Sequence, residues 1–401
     1  MPPLLVLAPI EPCASGNGLA MRVASFVGGA ASTYDVRVAV VRVAGALPSC
    51  PAQVSAPVIV VPFPDRAEVR TNFAQLLNDP AWRQLLANAD PMPLPATLAS
   101  PALAPEVIRA AGVQPGTPVH VVRSYLAPLG LAVAEALSSP WISLDLDDDD
   151  EGLATAQGDA ALASSFHRLV ELFAPRFSAV CLASADEAVV VGRRHELRTI
   201  ALPNACDLPA ETYRRTEESA TLLFVGNLAY GPNVEAAVLL VEQVLPGLQV
   251  RAGRPVKVML VGSYPPGGPI EHLRSNPSVT LTGYVDDLSP YYAEAGAVVA
   301  PFISGSGTRI KLLEAFAHQV PVVTTPIGTA GLSVRHTEHL LLAESTESLI
   351  EATATVLEDP DHSRAMTDAA LAYVSLHHST TVVTEQVLRF LEAAAEAGGV
   401  S

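Results

Sequence analysis

Short apolar runs, each stopped by proline, glycine or a polar residue, recur along the whole chain and constrain its fold more than any other feature. Leu4-Leu5-Val6-Leu7-Ala8 ends at Pro9, and further runs begin at Val36, Pro57, Val119, Trp141, Ala179 and Thr199. Runs this short and continuous are the pattern of strands buried on both faces of a parallel sheet. Helical stretches separate them, as in Leu19 to Val27 after Ser15-Gly16-Asn17-Gly18. The order β–Gly loop–α–β opens a doubly wound α/β domain. A second series starts at Thr221-Leu222-Leu223-Phe224-Val225 and continues with runs at Val256, Val279, Ala297 and Val320. Helices are expected over 233–244, 346–358, 362–373 and 379–396. Two such series predict two Rossmann-like domains facing a cleft, with ligands at the carboxyl ends of the strands.

The expected boundaries follow from the breaks in this rhythm. The first domain covers 1–207. Within it, 63–105 is polar, helical from Arg66 to Asn88 and proline-rich afterwards, the pattern of a helical insertion. Residues 208–219 are polar and charged and read as a linker. The second domain covers 220–375, and 376–401 is a terminal helix expected to cross back to the first domain.

Charge narrows the partners. Only 24 Lys and Arg face 41 Asp and Glu, a formal net charge of −17. Such a surface repels nucleic acid and anionic lipid. The four cysteines, Cys13, Cys50, Cys181 and Cys206, form no CxxC or CxxH pair. Zinc is therefore not expected, and four free thiols in a cytoplasmic protein are. The start of the chain lacks a charged leader region, and no run of about 18 apolar residues reads as a membrane span.

The stretch that points to chemistry is Gly305-Ser306-Gly307-Thr308-Arg309-Ile310-Lys311-Leu312-Leu313-Glu314-Ala315-Phe316-Ala317. An apolar strand precedes it, glycines follow, and a helix is expected from Thr308. The first N–H groups of a helix lack intrahelical partners and its dipole favours negative charge, so a strand–glycine turn–helix start can hold phosphate. Arg309 and Lys311 add two cations, and Glu314 is close enough to reach a sugar hydroxyl. The stretch reads as the diphosphate and ribose grip for a nucleotide-sugar, with Arg309 as a fork and Lys311 as a point charge.

Residues 221–332 resemble the family 4 (group 1) retaining glycosyltransferases, enzymes of the GT-B fold, in the subgroup with a GTRxKLLEA motif. The resemblance rests on Phe224-Val225-Gly226-Asn227 with Pro232-Asn233, on Gly283-Tyr284-Val285-Asp286-Asp287-Leu288, on Gly307 to Ala317, on Pro321 to Thr325 and on Gly328 to Leu332. The first half matches more loosely, at Gly16-Asn17-Gly18, at Leu144 to Asp148, at Ser184 to Glu187 and at Pro203-Asn204-Ala205-Cys206-Asp207. The resemblance implies an acceptor-side first domain and a donor-binding second one. It implies sugar transfer from a nucleoside diphosphate to a small soluble acceptor, with retention and without a metal. The donor is a co-substrate, and no other cofactor is expected.

Donor contacts are expected from Asn17, Gly18, Gly226, Asn227, Tyr284, Ser306, Gly307, Thr308, Arg309, Lys311 and Glu314, and catalytic roles from Arg309, Lys311 and Arg123. Many members of the family carry a glutamate where this chain has Ser306. That departure keeps open a catalytically silent nucleotide-binding partner protein, beside a nucleotide-sugar epimerase or pseudo-glycosyltransferase on the same fold. A natural-product or other small-metabolite acceptor and, at most, a second copy of the chain complete the expected partners.

Other polar groups carry two readings each. Arg22 is a weaker phosphate or acceptor candidate. Arg123 ends a strand and either touches substrate or pairs with the run Asp145 to Glu151. That run either caps a helix and stays solvated, or turns Asp147 or Asp148 toward an acceptor; a metal site is disfavoured there. His120 reads as a packed core histidine, and Glu271, His272, His336 and His339 as surface.

Overall fold

The computed structural model of the chain describes residues 1–14, 16–42, 54–61, 99–209, 219–305 and 310–399. The expected insertion therefore lies outside the described residues up to position 98, as do 210–218 of the expected linker and Ser306, Gly307, Thr308 and Arg309.

The chain divides into two compact units. The first holds β1 (Pro3–Ala8), β2 (Asp35–Val40), β3 (Val58–Val60), β4 (Val119–Val122), β5 (Ile142–Asp147), β6 (Ala179–Leu182) and β7 (Thr199–Ala201). They form one parallel sheet in the order β3-β2-β1-β4-β5-β6-β7. Leu4 to Ala8 of β1 are all fully buried, as a central strand covered on both faces requires. Helix Gly18–Ala30 leaves the end of β1 and buries Val23, Phe26 and Val27. Its Gly29 meets the last helix, Thr380–Ala397, so closely that an added Cβ would stand 3.2 Å from Val387. From Val383 onward that last helix belongs to the first unit, where Phe390 packs edge-on to His120.

The second unit holds β8 (Thr221–Val225), β9 (Lys257–Val261), β10 (Val279–Gly283), β11 (Ala297–Ala300), β12 (Val322–Thr324) and β13 (Leu341–Leu342). This sheet is also parallel, in the order β10-β9-β8-β11-β12-β13. Its core is built from Phe224, Phe302, Phe316, Leu312, Leu313 and Tyr292, all buried. Helix Gly231–Leu239 runs on through a π turn, Leu240–Val244, into Leu245–Ala252, and so extends past the expected end at 244. Pro246 has no N–H for the regular ladder, and the wider turn absorbs that loss. Among the described residues, 204–382 and the pair Gly16 and Asn17 group with this unit.

Both sheets reverse direction of growth at one point, between β1 and β4 and between β8 and β11. The carboxyl ends of those strand pairs are where an α/β sheet of this kind binds ligands. Among the described residues, no helix is long and apolar enough to cross a membrane.

Candidate active site

In the second unit, the switch point gathers Gly226 and Asn227 after β8 and helix Ile310–Ala317 after β11. Lys311 lies in the first turn of that helix, and its Nζ donates to Asn233 Oδ1 at 2.8 Å. The same ammonium sits 5.2 Å from the Phe224 ring centroid and 4.9 Å from that of Phe302. Asn233 in turn donates from Nδ2 to the Asn227 carbonyl at 2.8 Å. One amide thus ties the loop after β8 to the cation after β11, while two aromatic faces stabilise the charge.

The loop can take this path because β9 ends in glycine. Gly262 has φ +143°, and a Cβ there would stand 1.8 Å from the Gly226 carbonyl oxygen. No side chain fits between the two strand ends. Beyond Gly262, a cavity of about 360 Å³ is lined by Ser263, Tyr264, Pro266, Glu271, Gly283 and Tyr284.

Glu314 follows Lys311 by nearly one helical turn. Its Oε2 accepts from the Tyr292 hydroxyl at 3.2 Å. Burial pushes its carboxyl up to about 7, against the Tyr292 hydrogen bond and Lys311, which both favour the ionised form. Tyr292 is placed by the segment before it. Asp287 Oδ1 accepts from Ser289 N at 2.9 Å, which starts helix Ser289–Glu294. The His318 ring stacks on Tyr292 at 4.6 Å and fixes the phenol. Cys206 lies within the field of Glu314, and burial, Glu314 and Asp207 all raise its thiol.

The first unit concentrates carboxylates at the ends of β4 and β5. Arg22 is buried and donates to both oxygens of Asp145, at 2.7 and 2.8 Å, and to the Leu202 carbonyl at 2.9 Å. Burial opposes ionisation of Asp145, yet Arg22 outweighs it and holds the carboxyl below its usual range. Arg123 donates to Asp147 at 3.0 Å and to Asp150, and stands 3.6 Å from Asp148. Both Arg123 (φ +78°) and Asp147 (φ +66°) have left-handed backbones, a strain that the surrounding contacts must hold in place. Arg22 also stands 3.4 Å from Asp147, and Arg194 pairs with Asp149 at 2.8 Å. Burial first, and then neighbouring Asp147, push Asp148 well above the carboxylate range. Burial, then Asp149 and Asp147, push Glu187, in the helix after β6, up to about 7.

Comparisons with known proteins fit the donor-side geometry. Residues 219–359 match the family model described as glycosyl transferases group 1. This part of the chain is similar to group 1 glycosyltransferase domains. An uncharacterized 44.6 kDa protein in the cps region of Klebsiella pneumoniae is 26% identical over 133 residues. That match spans 31% of this chain and about a third (34%) of the relative's length. Over nearly the whole chain the fold is that of GT-B proteins. HepE from Anabaena in complex with UDP and glucose superimposes with a TM-score of 0.65 at 15% identity, covering 98% of this chain and 100% of that one. Sucrose-phosphate synthase from Thermosynechococcus elongatus gives 0.66 at 16% identity, covering 97% and 98%. WaaG, a glycosyltransferase involved in lipopolysaccharide biosynthesis, gives 0.64 at 15%, covering 96% and 99%.

In the second unit, Gly226, Asn227, Lys311 and Glu314 come together at the switch point, and Tyr284 lines the neighbouring cavity. Ser306, Gly307, Thr308 and Arg309 lie outside the described residues. Asn17 groups with the second unit and Gly18 with the first, where it opens helix Gly18–Ala30. Arg123 is engaged by Asp147 and Asp150, the pairing alternative.

Glu271 is partly exposed and lines the cavity with Tyr284. Three expectations are corrected. Arg22 is no phosphate or acceptor ligand, because its donors are directed to buried Asp145 and Leu202. Cys13 is disulfide-bonded, so the chain does not carry four free thiols; Cys181 and Cys206 are free and buried. His339 is buried, with Nδ1 accepting from Arg335 N at 3.0 Å. Asn233 and Tyr292 were missed as site residues. Asn233 stood in the quoted Pro232-Asn233 pair, whereas Tyr292 carried no local signal beyond following Asp287.

Proposed function

We propose that the chain is a glycosyltransferase that moves a sugar from a nucleoside diphosphate donor to a small acceptor, with retention and without a required metal. The observation that carries this reading is Lys311, held by Asn233 between Phe224 and Phe302 at the β8–β11 switch point, with Glu314 half-buried beside it. A fixed cation at a switch point suits an anionic leaving group. The UDP found with HepE supports a nucleoside diphosphate as the donor's handle.

In this reading the 360 Å³ cavity beside Tyr284 takes the base, and Glu314 accepts from the ribose hydroxyls. Lys311, with Arg309 and the backbone of Ser306, Gly307 and Thr308, holds the diphosphate, and Asn17 and Gly18 complete the donor contacts. The bond from the anomeric carbon to the phosphate oxygen breaks as the bond to the acceptor oxygen forms on the same face. The acceptor's proton passes to the departing diphosphate. Charge grows on that diphosphate in the transition state, so Lys311 and Arg309 stabilise it more than the bound donor. Arg123 acts through the carboxylates it orients, and Asp147 or Asp148 faces a hydroxyl or basic group of the acceptor.

The test is incubation with a panel of nucleotide-sugars and acceptors, read by mass spectrometry of products. Transfer that survives a chelator, with the donor's anomeric configuration kept by NMR, is the expected result. Product from donor alone would indicate an epimerase. Nucleotide binding without turnover under any acceptor would indicate a silent partner protein.

A further inference from the structure

A second constellation lies within the first unit, away from any role assigned above. Glu151 stands in the first turn of helix Asp150–Ala156, His167 on helix Ala160–Phe173 and His195 just after helix Ala185–Arg194. His167 Nδ1 is 3.2 Å from both carboxylate oxygens of Glu151, and His195 Nε2 is 2.9 Å from Oε2. The three donor atoms all lie within 4.8 Å of one another.

We infer that Glu151, His167 and His195 form a binding site for one divalent transition-metal ion of the zinc class. Ligands on a tetrahedron with arms of about 2.0–2.1 Å stand roughly 3.3 Å apart, close to both Glu–His separations. Two imidazoles and one carboxylate suit zinc better than magnesium or calcium, which prefer oxygen. His195 is buried to 2% side-chain exposure, whereas His167 is 43% exposed, so an ion enters from the His167 side and keeps water as its fourth ligand. In the structure each His–Glu contact needs a proton on the imidazole nitrogen; the ion takes the place of those two protons.

Two features limit the affinity. Arg194 stands 3.4 Å from Glu151 Oε2, although its guanidinium is held by Asp149 at 2.8 and 2.9 Å. His195 Nδ1 is buried without a hydrogen-bond partner among the described residues, so the outer shell that strengthens metal-bound histidines is missing on that side. No spacing along the chain signals the site, because two ligands lie on separate helices and the third just after another.

The experiment is calorimetric titration of the full chain with Zn²⁺ alone at pH 7.5, after chelator treatment and dialysis. Thermal melts with and without Zn²⁺ accompany it. The wild type is expected to bind one equivalent, and His167→Ala and Glu151→Gln each to weaken that step at least tenfold and to abolish the Zn²⁺-dependent rise in melting temperature. His167 is the exposed ligand, so its truncation leaves the fold intact even where His195→Ala would not. Absence of saturable Zn²⁺ uptake by the wild type, or equal uptake by His167→Ala, would overturn the assignment.

Discussion

The Tyr292 hydroxyl donates to Glu314 across 3.2 Å, and this contact couples the segment Gly283 to Leu288 to the helix that carries Lys311. Asp287 starts the short helix that presents Tyr292, so a surface turn positions the hydrogen-bond donor to a half-buried carboxyl. Tyr292→Phe is expected to raise the Glu314 pKa further above 7 and to weaken nucleoside diphosphate binding at neutral pH by about 1 kcal/mol, the worth of one such hydrogen bond. Calorimetry at pH 7 and at pH 8.5 checks it, with the defect smaller at the higher pH.

Glu314 and Glu187 both have native carboxyls near 7 against an ordinary value of 4.5. Between those pH values the native state holds more protons than the unfolded chain, so stability is fully present below pH 4.5 with respect to these groups and is lost as pH rises through 7. Both side chains are partly exposed, which reduces the effect to on the order of 1–2 kcal/mol each. Urea denaturation across this window is expected to show the decline, and Glu314→Gln to flatten it.

Arg22 and Asp145 form a buried pair between the first helix and β5. Arg22→Met leaves the carboxylate without its partner and is expected to destabilise the chain by about 3–5 kcal/mol. Nucleoside diphosphate affinity in the folded fraction should be unchanged. A stable variant with selectively weakened binding would return Arg22 to the ligand site.

Gly262→Ala forces a Cβ onto the Gly226 carbonyl. Backbone must move, at a cost of about 3 kcal/mol. Thermal melting and nucleotide calorimetry should report both lower stability and weaker binding, because the displaced loop carries Asn227 and the carbonyl that orients Asn233.

Much of this was legible in the sequence, and the exceptions have a physical pattern. Strands that are apolar throughout, such as β1 and β11, announce themselves. Strand β5 announces only its first half, in the run from Trp141 to Leu144, because it continues through Asp145 and Asp147, which read as the start of a polar run. Asp145 can be buried only because Arg22, 123 residues earlier, neutralises it. Lys311 and Glu314 were readable as chemistry at a helix start. What positions them was not, since Asn233 and Tyr292 reach them from helices 78 and 22 residues away in sequence. The same holds for Glu151, His167 and His195, whose convergence is a property of helix packing.

Lys311 is expected to grip a nucleoside diphosphate, and titrating UDP, GDP, ADP and dTDP into the wild type and Lys311→Ala by calorimetry measures that grip. One-to-one binding of at least one of them is expected, with a loss of tenfold or more in the variant, about 1.4 kcal/mol or greater. Equal affinity in both proteins, or no binding of any nucleotide to the wild type, would contradict this role.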